Sequence, residues 1–261
     1  MDRKLEEAFQ ELQLDTEDVV LETASMLKKR YNSTMAKVLD AIALWWLHND
    51  IKDLTDAQSN MDSLMTELDG IMDPASEEYI EVMTEHFALV FAFNLQYSQR
   101  ILDLEETSDE EALLLFTVLG LASMPWTDDG LTYRERMTHR NTQLKNNIRQ
   151  IITRGAAMGL GTRKLLSDVK HEMSKQKYRG TSVLVDESNH FANEAVKYGA
   201  EKDFDGYEVS EVLDMKTCDT CLSMHGKRFR WDQYDVGITA PQFHISCRGR
   251  IIPVGKSTPN T

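Results

Sequence analysis

Apolar residues recur at helical spacing through most of the first half of the chain. Between Asp15 and Asp50, Val19, Met26, Leu27, Leu39, Ile42 and Trp46 follow the 3.6-residue period, and neither Pro nor Gly interrupts them. The same period predicts a helix over Thr55–Met72. A third helix is expected to open at Asp73-Pro74, where proline and acidic residues suit a first turn, and to run through Ile80, Met83, Phe87, Val90 and Phe91 to Leu102. A fourth follows Ser108 and takes Leu113 to Ala122. Four such helices predict an antiparallel bundle whose Met, Phe and Trp residues are core. His48 and His86 lack partners at metal spacing and read as ordinary helix residues.

From Thr132 the pattern changes. Leu144, Ile148, Ile151 and Ile152 leave one narrow apolar stripe on a helix that also carries Arg134, Arg136, Arg140, Lys145 and Arg149. Glycines at 155, 159 and 161 end it, and a helix from Thr162 to about Ser174 follows, with Leu165, Leu166 and Val169 inward. Another helix spans about Val183 to Gly199, and alternation over Tyr207–Leu213 predicts a strand. The fold class is α+β, mostly α. Four ranges are expected: an acidic helical bundle (1–125), a basic helical connecting region (126–204), a Cys/His knuckle with short strands (205–254) and a flexible tail (255–261).

Charge sharpens the division. The net charge is −14, yet residues 1–130 hold 28 Asp/Glu against 8 Lys/Arg, whereas 131–261 hold 15 against 21. The acidic half reads as a solvated face, or as one turned toward DNA or toward basic subunits. The cationic helix could neutralise phosphates or pack within an assembly, but it has no interleaved surface aromatics and no base-reading module. With 261 residues, 41% of them hydrophobic, the chain can build one large or two modest domains. Its opening is polar and acidic, unlike a signal peptide, and no run of roughly 18 apolar residues suggests a membrane span. Three cysteines in the pattern described next suit a reducing compartment, here a cytoplasm.

All three cysteines lie between Asp214 and Val254. Cys218 and Cys221 form C-x2-C; after 22 residues His244 and Cys247 form H-x2-C. Two chelating pairs supply the four ligands of a closed tetrahedral zinc site. Reduced cysteines in a small hairpin core are the metal-free reading, and a redox C-x-x-C lacks its usual βαβ context. Arg248, Arg250, Lys227 and Arg228 are close enough in sequence to offset the net negative charge of a three-thiolate site. Phe229, Trp231 and Tyr234 between the pairs suggest β structure, and metal would rigidify a domain too poor in core to fold alone. Glu187, His190 and Glu194 share a helix face and are expected to brace the knuckle through hydrogen bonds. The sequence has no Walker-type phosphate loop, nucleophile elbow, H-E-x-x-H or deaminase set. A His244–Cys247 nucleophile pair would be consumed by ligation.

The order of Asp214, Thr217, Cys218, Cys221, Gly226, Pro241, His244, Cys247 and Arg248 resembles the C-terminal domain of the phage Mu protein F-like head morphogenesis family. Trp126, the Arg/Asn-rich helix and its glycine turn are similar to the middle of that family, so the resemblance spans about 126–254. Two positions near the ligands depart: His225 stands where an acidic residue is more common, and Gly249 where a further cysteine is common. Val185 stands where a basic residue is usual. The resemblance implies a non-enzymatic minor head protein bound to the portal protein or inner capsid wall, with major capsid protein, scaffolding protein and packaged DNA as further contacts. It would be assembled in the host cytoplasm and reside in the virion, at the capsid interior or portal vertex. It would carry structural zinc, with Asp214, Arg248, Gly226 and Glu187 supporting the ligands. The alternatives are a metal-dependent enzyme acting on DNA or protein, and a zinc-dependent nucleic-acid-binding module.

Overall fold

The computed structural model describes residues 3–127 and 129–256. The order is α1 (Arg3–His48), α2 (Leu54–Ile101), α3 (Asp109–Val118), a 3-10 turn (Leu121–Ser123), α4 (Tyr133–Ala157), α5 (Thr162–Ala200), β1 (Phe204–Ser210), α6 (Asp219–Met224), β2 (Arg228–Arg230), a second 3-10 turn (Trp231–Gln233) and β3 (Arg250–Lys256). The protein is mostly helical with one small antiparallel sheet.

Three helices are longer than the periodicity predicts: α1 begins at Arg3 rather than Asp15, and two others each join a predicted pair. The second and third predicted helices are one element, α2, which runs through Pro74. A proline inside a helix removes one hydrogen bond and crowds the carbonyl four residues back, at a cost of about 3 kcal/mol. Leu68 and Met72 before it, and Tyr79 and Ile80 after it, are all buried, and that burial outweighs one lost bond. The predicted helices 162–174 and 183–199 likewise merge into α5. The polar run between them reads locally as a linker, but Met173 on one side and Val183 and Leu184 on the other are buried and hold it helical.

The chain divides into two compact units. One comprises Ala24–Val82 and Tyr133–Thr181; the other comprises Met1–Thr23, Met83–Thr132 and Ser182–Thr261. Both are discontinuous in sequence and cut across the compositional ranges 1–125, 126–204 and 205–254.

In the first unit the core draws on four helices: Val38, Ile42 and Trp45 from α1, Leu64 and Leu68 from α2, Ile148 and Ile152 from α4, and Leu165 and Val169 from α5. The N-terminal helices therefore do not complete a bundle by themselves. The narrow apolar stripe of α4 supplies what they lack. Its cations meet their acids here too: Lys145, with its side chain only 16% exposed, pairs with Asp69 (2.7 Å) and Asp73 (2.8 Å), and Arg149 pairs with Asp62 (2.9 Å).

The second unit holds the sheet, in the order β2-β1-β3, all antiparallel. The predicted strand starts earlier and ends earlier than its alternation suggests, because Glu211–Leu213 leave the sheet toward the cysteines. Of the aromatic residues expected in strands, only Phe229 is in one; Trp231 opens a 3-10 turn and stacks with Tyr234 around Tyr207. The sheet shares a core with helices of its unit, including Phe9, Leu12, Leu102, Val196, Phe204, Val209 and Ile251. It is thus not a core-poor module dependent on metal alone. Gly255 and Lys256, assigned to the tail from sequence, end β3, while 257–261 lie outside the described residues.

Two consequences are testable. At Gly206, opposite Arg230 in β2, an added Cβ would sit 2.0 Å from the Phe229 carbonyl oxygen, which is backbone and cannot rotate away. Gly206→Ala should detach β2 and destabilise the protein by about 1–3 kcal/mol in denaturant titration. An effect under a few tenths of a kcal/mol would mean the strands do not meet there.

His86, unremarkable in sequence, is buried between Thr23 and Ser188, its Nδ1 3.0 Å from Thr23 Oγ1 and its Nε2 3.0 Å from Ser188 Oγ. Ser188 gives its own proton to the Leu184 carbonyl (2.6 Å), so Nε2–H donates to Ser188 and Nδ1 accepts from Thr23. Burial lowers the His86 pKa to about 4. The unfolded chain then binds the extra proton first. Stability should fall as pH drops from about 6.5 to about 4, by up to about 3 kcal/mol, and level off below. His86→Gln should flatten that part of the pH–stability curve, and an unchanged slope would remove His86 as its source.

Candidate metal centre

Cys218 sits in extended conformation as the N-cap of α6, and its sulfur accepts the Cys221 N–H (3.5 Å). One helical turn therefore aims both thiols the same way. Gly226, at φ 76°, ends α6 in the left-handed region open to glycine, and its N–H bonds the Val209 carbonyl (2.8 Å), returning the chain to β1. The second pair arrives on the segment before β3.

The sequence-predicted ligands fall in two overlapping groups: the ligand atoms of Cys218, Cys221 and His244 lie within 4.8 Å of one another, and Cys247 joins through Cys221. His244 Nε2 lies 3.1 Å from both Cys218 Sγ and Cys221 Sγ, and Cys221 Sγ lies 3.7 Å from Cys247 Sγ. His244 Nδ1 lies 2.8 Å from the Ile245 carbonyl oxygen, which can only accept. The ring proton is therefore on Nδ1, and the Nε2 lone pair faces the thiols, the tautomer a metal-bound histidine needs. Cys221 and Cys247 are buried and His244 is exposed, so the cluster runs from core to surface.

Glu211 joins the inner end. Its carboxylate approaches Cys247 Sγ (3.9 Å), and Glu211, Cys221 and Cys247 form a second group of candidate ligand atoms within 4.8 Å of one another. Burial raises the Glu211 carboxyl pKa and those of the Cys221 and Cys247 thiols. Cys218 is shifted the other way, by the backbone N–H of Cys221. A Cβ at Gly249 would lie 2.3 Å from Glu211 Oε1. The space that a further cysteine would need at 249 is filled by Glu211.

Zinc bonds of about 2.3 Å to sulfur and 2.0 Å to nitrogen put tetrahedral ligands roughly 3.5–3.8 Å apart. The Cys221–Cys247 spacing meets this and the two Cys–His spacings are shorter by about 0.4 Å, whereas Cys247 stands outside the 4.8 Å group of Cys218, Cys221 and His244, so closing a tetrahedral shell would require it to move inward. A second fit comes from charge. Arg248 makes two bonds to Asp214 (2.9 and 2.7 Å), Arg228 is taken by Glu208 (2.8 Å), and Lys227 Nζ rests on Met224 Sδ (3.6 Å). Arg250 is different. It is 5% exposed, donates through Nη1 to the Asn189 carbonyl (3.0 Å), and leaves Nε and Nη2 buried without a hydrogen-bond partner. Burial lowers its pKa to about 10, against the charge of Glu17 and, after it, Cys247, which hold it up. A divalent ion with three thiolates and an imidazole carries one negative charge, which would answer this cation. The donor types present, thiols and an imidazole, are those a soft or borderline cation such as zinc takes.

The helix that braces the loop uses further residues beside those predicted; of the predicted ones, Glu194 interacts with Tyr234, between the two Cys/His pairs. On α5, Asp186 Oδ1 accepts the Ser246 N–H (2.6 Å), Asn189 donates to the Cys247 carbonyl (3.1 Å), and Asn193 both donates to the Gly249 carbonyl (3.2 Å) and accepts the Ile251 N–H (3.1 Å). These lie at i, i+3 and i+7, one residue ahead of Glu187, His190 and Glu194. Glu187 instead accepts the Trp126 indole N–H (2.9 Å), and Trp126 stacks on His190 at 4.8 Å. Asp214, held well below the usual carboxylate range by Arg248, also accepts the Lys216 N–H (2.8 Å) and so shapes the turn before Cys218.

The five cationic candidates Arg134, Arg136, Arg140, Lys145 and Arg149 belong to the other unit. Lys145 and Arg149 are ion-paired as described, and Arg140 donates to the Arg179 carbonyl (2.7 Å).

Residues 146–252 match the family model described as Phage Mu protein F like protein. That segment is similar to the phage Mu protein F-like family. The phage Mu F-like segment runs from within α4 into β3 and contains all four Cys/His residues, the bracing face of α5 and Glu211. The family match supports a phage head-morphogenesis protein. No curated protein and no solved structure matches the chain. Among the described residues no helix is long and apolar enough to cross a membrane.

Proposed function

We propose that the protein is a minor head protein of a tailed phage or prophage, carried in the virion at the portal vertex or capsid interior and assisting head assembly, DNA packaging or ejection. The family match over 146–252 carries this reading. The donor set favours a structural rather than catalytic use: if all four ligate, three thiols and an imidazole would fill the shell, whereas a catalytic metal keeps a position open for water or substrate. Cys218, Cys221, His244 and Cys247 would hold zinc, whose contribution is to tie α6 to the segment before β3. The nucleic-acid reading draws less support, because Lys145 and Arg149 are already paired with acids of α2. The portal protein is the first partner to test, with capsid and scaffolding proteins next.

The test is quantitative mass spectrometry of purified virions and DNA-free proheads from an induced lysate, with zinc measured on the recombinant chain. A low, fixed copy number in both particles is expected. Absence from both would overturn the assignment, and a hydrolytic rate that changes on metal replacement while the fold persists would favour an enzyme.

A further inference from the structure

The inner end of the thiol cluster holds one donor more than Cys218, Cys221, His244 and Cys247. Glu211 is 5% exposed, and its carboxylate lies with the sulfurs of Cys221 and Cys247 in a group whose ligand atoms are all within 4.8 Å of one another. Cys221 belongs to this group and to the outer one. An ion held by Cys218, Cys221 and His244 therefore has two neighbours from which to draw its fourth ligand, Cys247 and Glu211, and both stand outside the outer group.

The carboxylate has no cation of its own. Arg248 is spent on Asp214, Arg250 donates to the Asn189 carbonyl, and among the described residues no basic side chain forms an ion pair with Glu211. Its side-chain hydrogen bonds come from thiols, Cys247 at 3.9 Å and Cys221. A cysteine ligates as the thiolate and then has no proton to donate. Loading the site removes those hydrogen bonds and leaves a buried carboxylate facing thiolates, a costly arrangement unless a cation joins it. The cation at hand is the ion itself.

Two further features set Glu211 apart from an ordinary buried carboxylate. Its backbone N–H donates to His225 Nδ1 (3.1 Å) where the chain leaves β1, and the missing side chain at Gly249 leaves Oε1 its place, 2.3 Å from where a Cβ would be. Glu211 also lines a cleft of about 450 Å³ between α1 and the segment after β1. Glu6 and Glu17, both half-buried, line the same cleft, and its arginine, Arg248, is already held by Asp214. A cation is drawn past two carboxylates to the inner end of the cluster.

We propose that Glu211 is a ligand of the ion, sharing with Cys247 the position that completes the shell. Sulfur and carboxylate oxygen are both ordinary zinc ligands, so either can close it. The inference rests on the metal-centre reading and adds a residue to it.

The test is X-ray absorption at the zinc edge of the full, zinc-loaded chain, with affinity measured by competition against a chelator. The unsubstituted chain should show fewer than three sulfurs and more than one nitrogen or oxygen on average, and Glu211→Gln should bring the count to three sulfurs. Cys247→Ser should keep one equivalent of zinc with two sulfurs. Adding Glu211→Gln to Cys247→Ser should weaken zinc by at least about tenfold. Glu211→Asp in the same background should do likewise, because it keeps the charge but draws the oxygens back by one methylene. Amide protection over 204–210 should persist in every variant, since β1 shares its core with helices. If a variant loses it, the unsubstituted spectrum decides. Three sulfurs and one nitrogen in the unsubstituted chain, or a sulfur count unmoved by Glu211→Gln, would overturn ligation by Glu211. Full affinity with aspartate would reduce its role to charge and overturn it as well. An unsubstituted chain that takes up no zinc would remove the metal centre itself, and Glu211 with it.

Discussion

Cys221→Ser should release the loops around the metal centre while leaving the sheet in place. Cys221 is 3% exposed and is the one residue shared by the Cys218–His244 and Cys247–Glu211 groups, so its loss opens both. In isolated zinc peptides the binding free energy, about 10–16 kcal/mol, is the folding free energy. Here β1 and β3 pair over Phe204–Lys256 to Ser210–Arg250 and share a core with helices of the same unit. The expected damage is therefore local. Amide exchange protection should collapse over 212–225 and 241–249 and persist in 204–210 and 250–254, and bound zinc should fall from about one equivalent to near zero. A chelator added to the unsubstituted protein should give the same exchange pattern. Unchanged protection in both loops would reject a structural metal; collapse of β1 and β3 as well would mean that the shared core contributes less than its burial implies.

The second large effect is expected at Tyr207. It is fully buried in the central strand, 5.8 Å from Phe229, 5.2 Å from Trp231 and 5.4 Å from Tyr234 between ring centroids. Its hydroxyl donates to Thr239 Oγ1 (3.2 Å), tying the sheet to the loop before Pro241. Tyr207→Ala removes the centre of that cluster and should cost about 3–5 kcal/mol by chemical denaturation. Tyr207→Phe keeps the ring and should cost about 1 kcal/mol. If the two substitutions cost the same, the hydroxyl rather than the ring packing would be the main contribution.

The sequence alone determined whatever depends on short stretches of chain. Helical periodicity located the helices, because amphipathic spacing is a local property. C-x2-C and H-x2-C named the four side chains that the fold gathers, since each pair is set by its own turn.

The tertiary structure decided what depends on the other side of a contact. Pro74 looks like a helix start until the burial of Leu68, Met72, Tyr79 and Ile80 is known. The two oppositely charged halves read as separate surfaces, yet Asp62, Asp69 and Asp73 neutralise Arg149 and Lys145 inside one unit. The face of α5 that braces the metal loop is a matter of helix rotation by one residue, about 100°, which periodicity in a helix buried on most sides does not resolve. Four basic residues could have offset the charge of the site, and only packing shows that Arg250 is the one buried with Nε and Nη2 left without hydrogen-bond partners. Partner, rotation and burial are long-range quantities, and no window of sequence contains both ends of them.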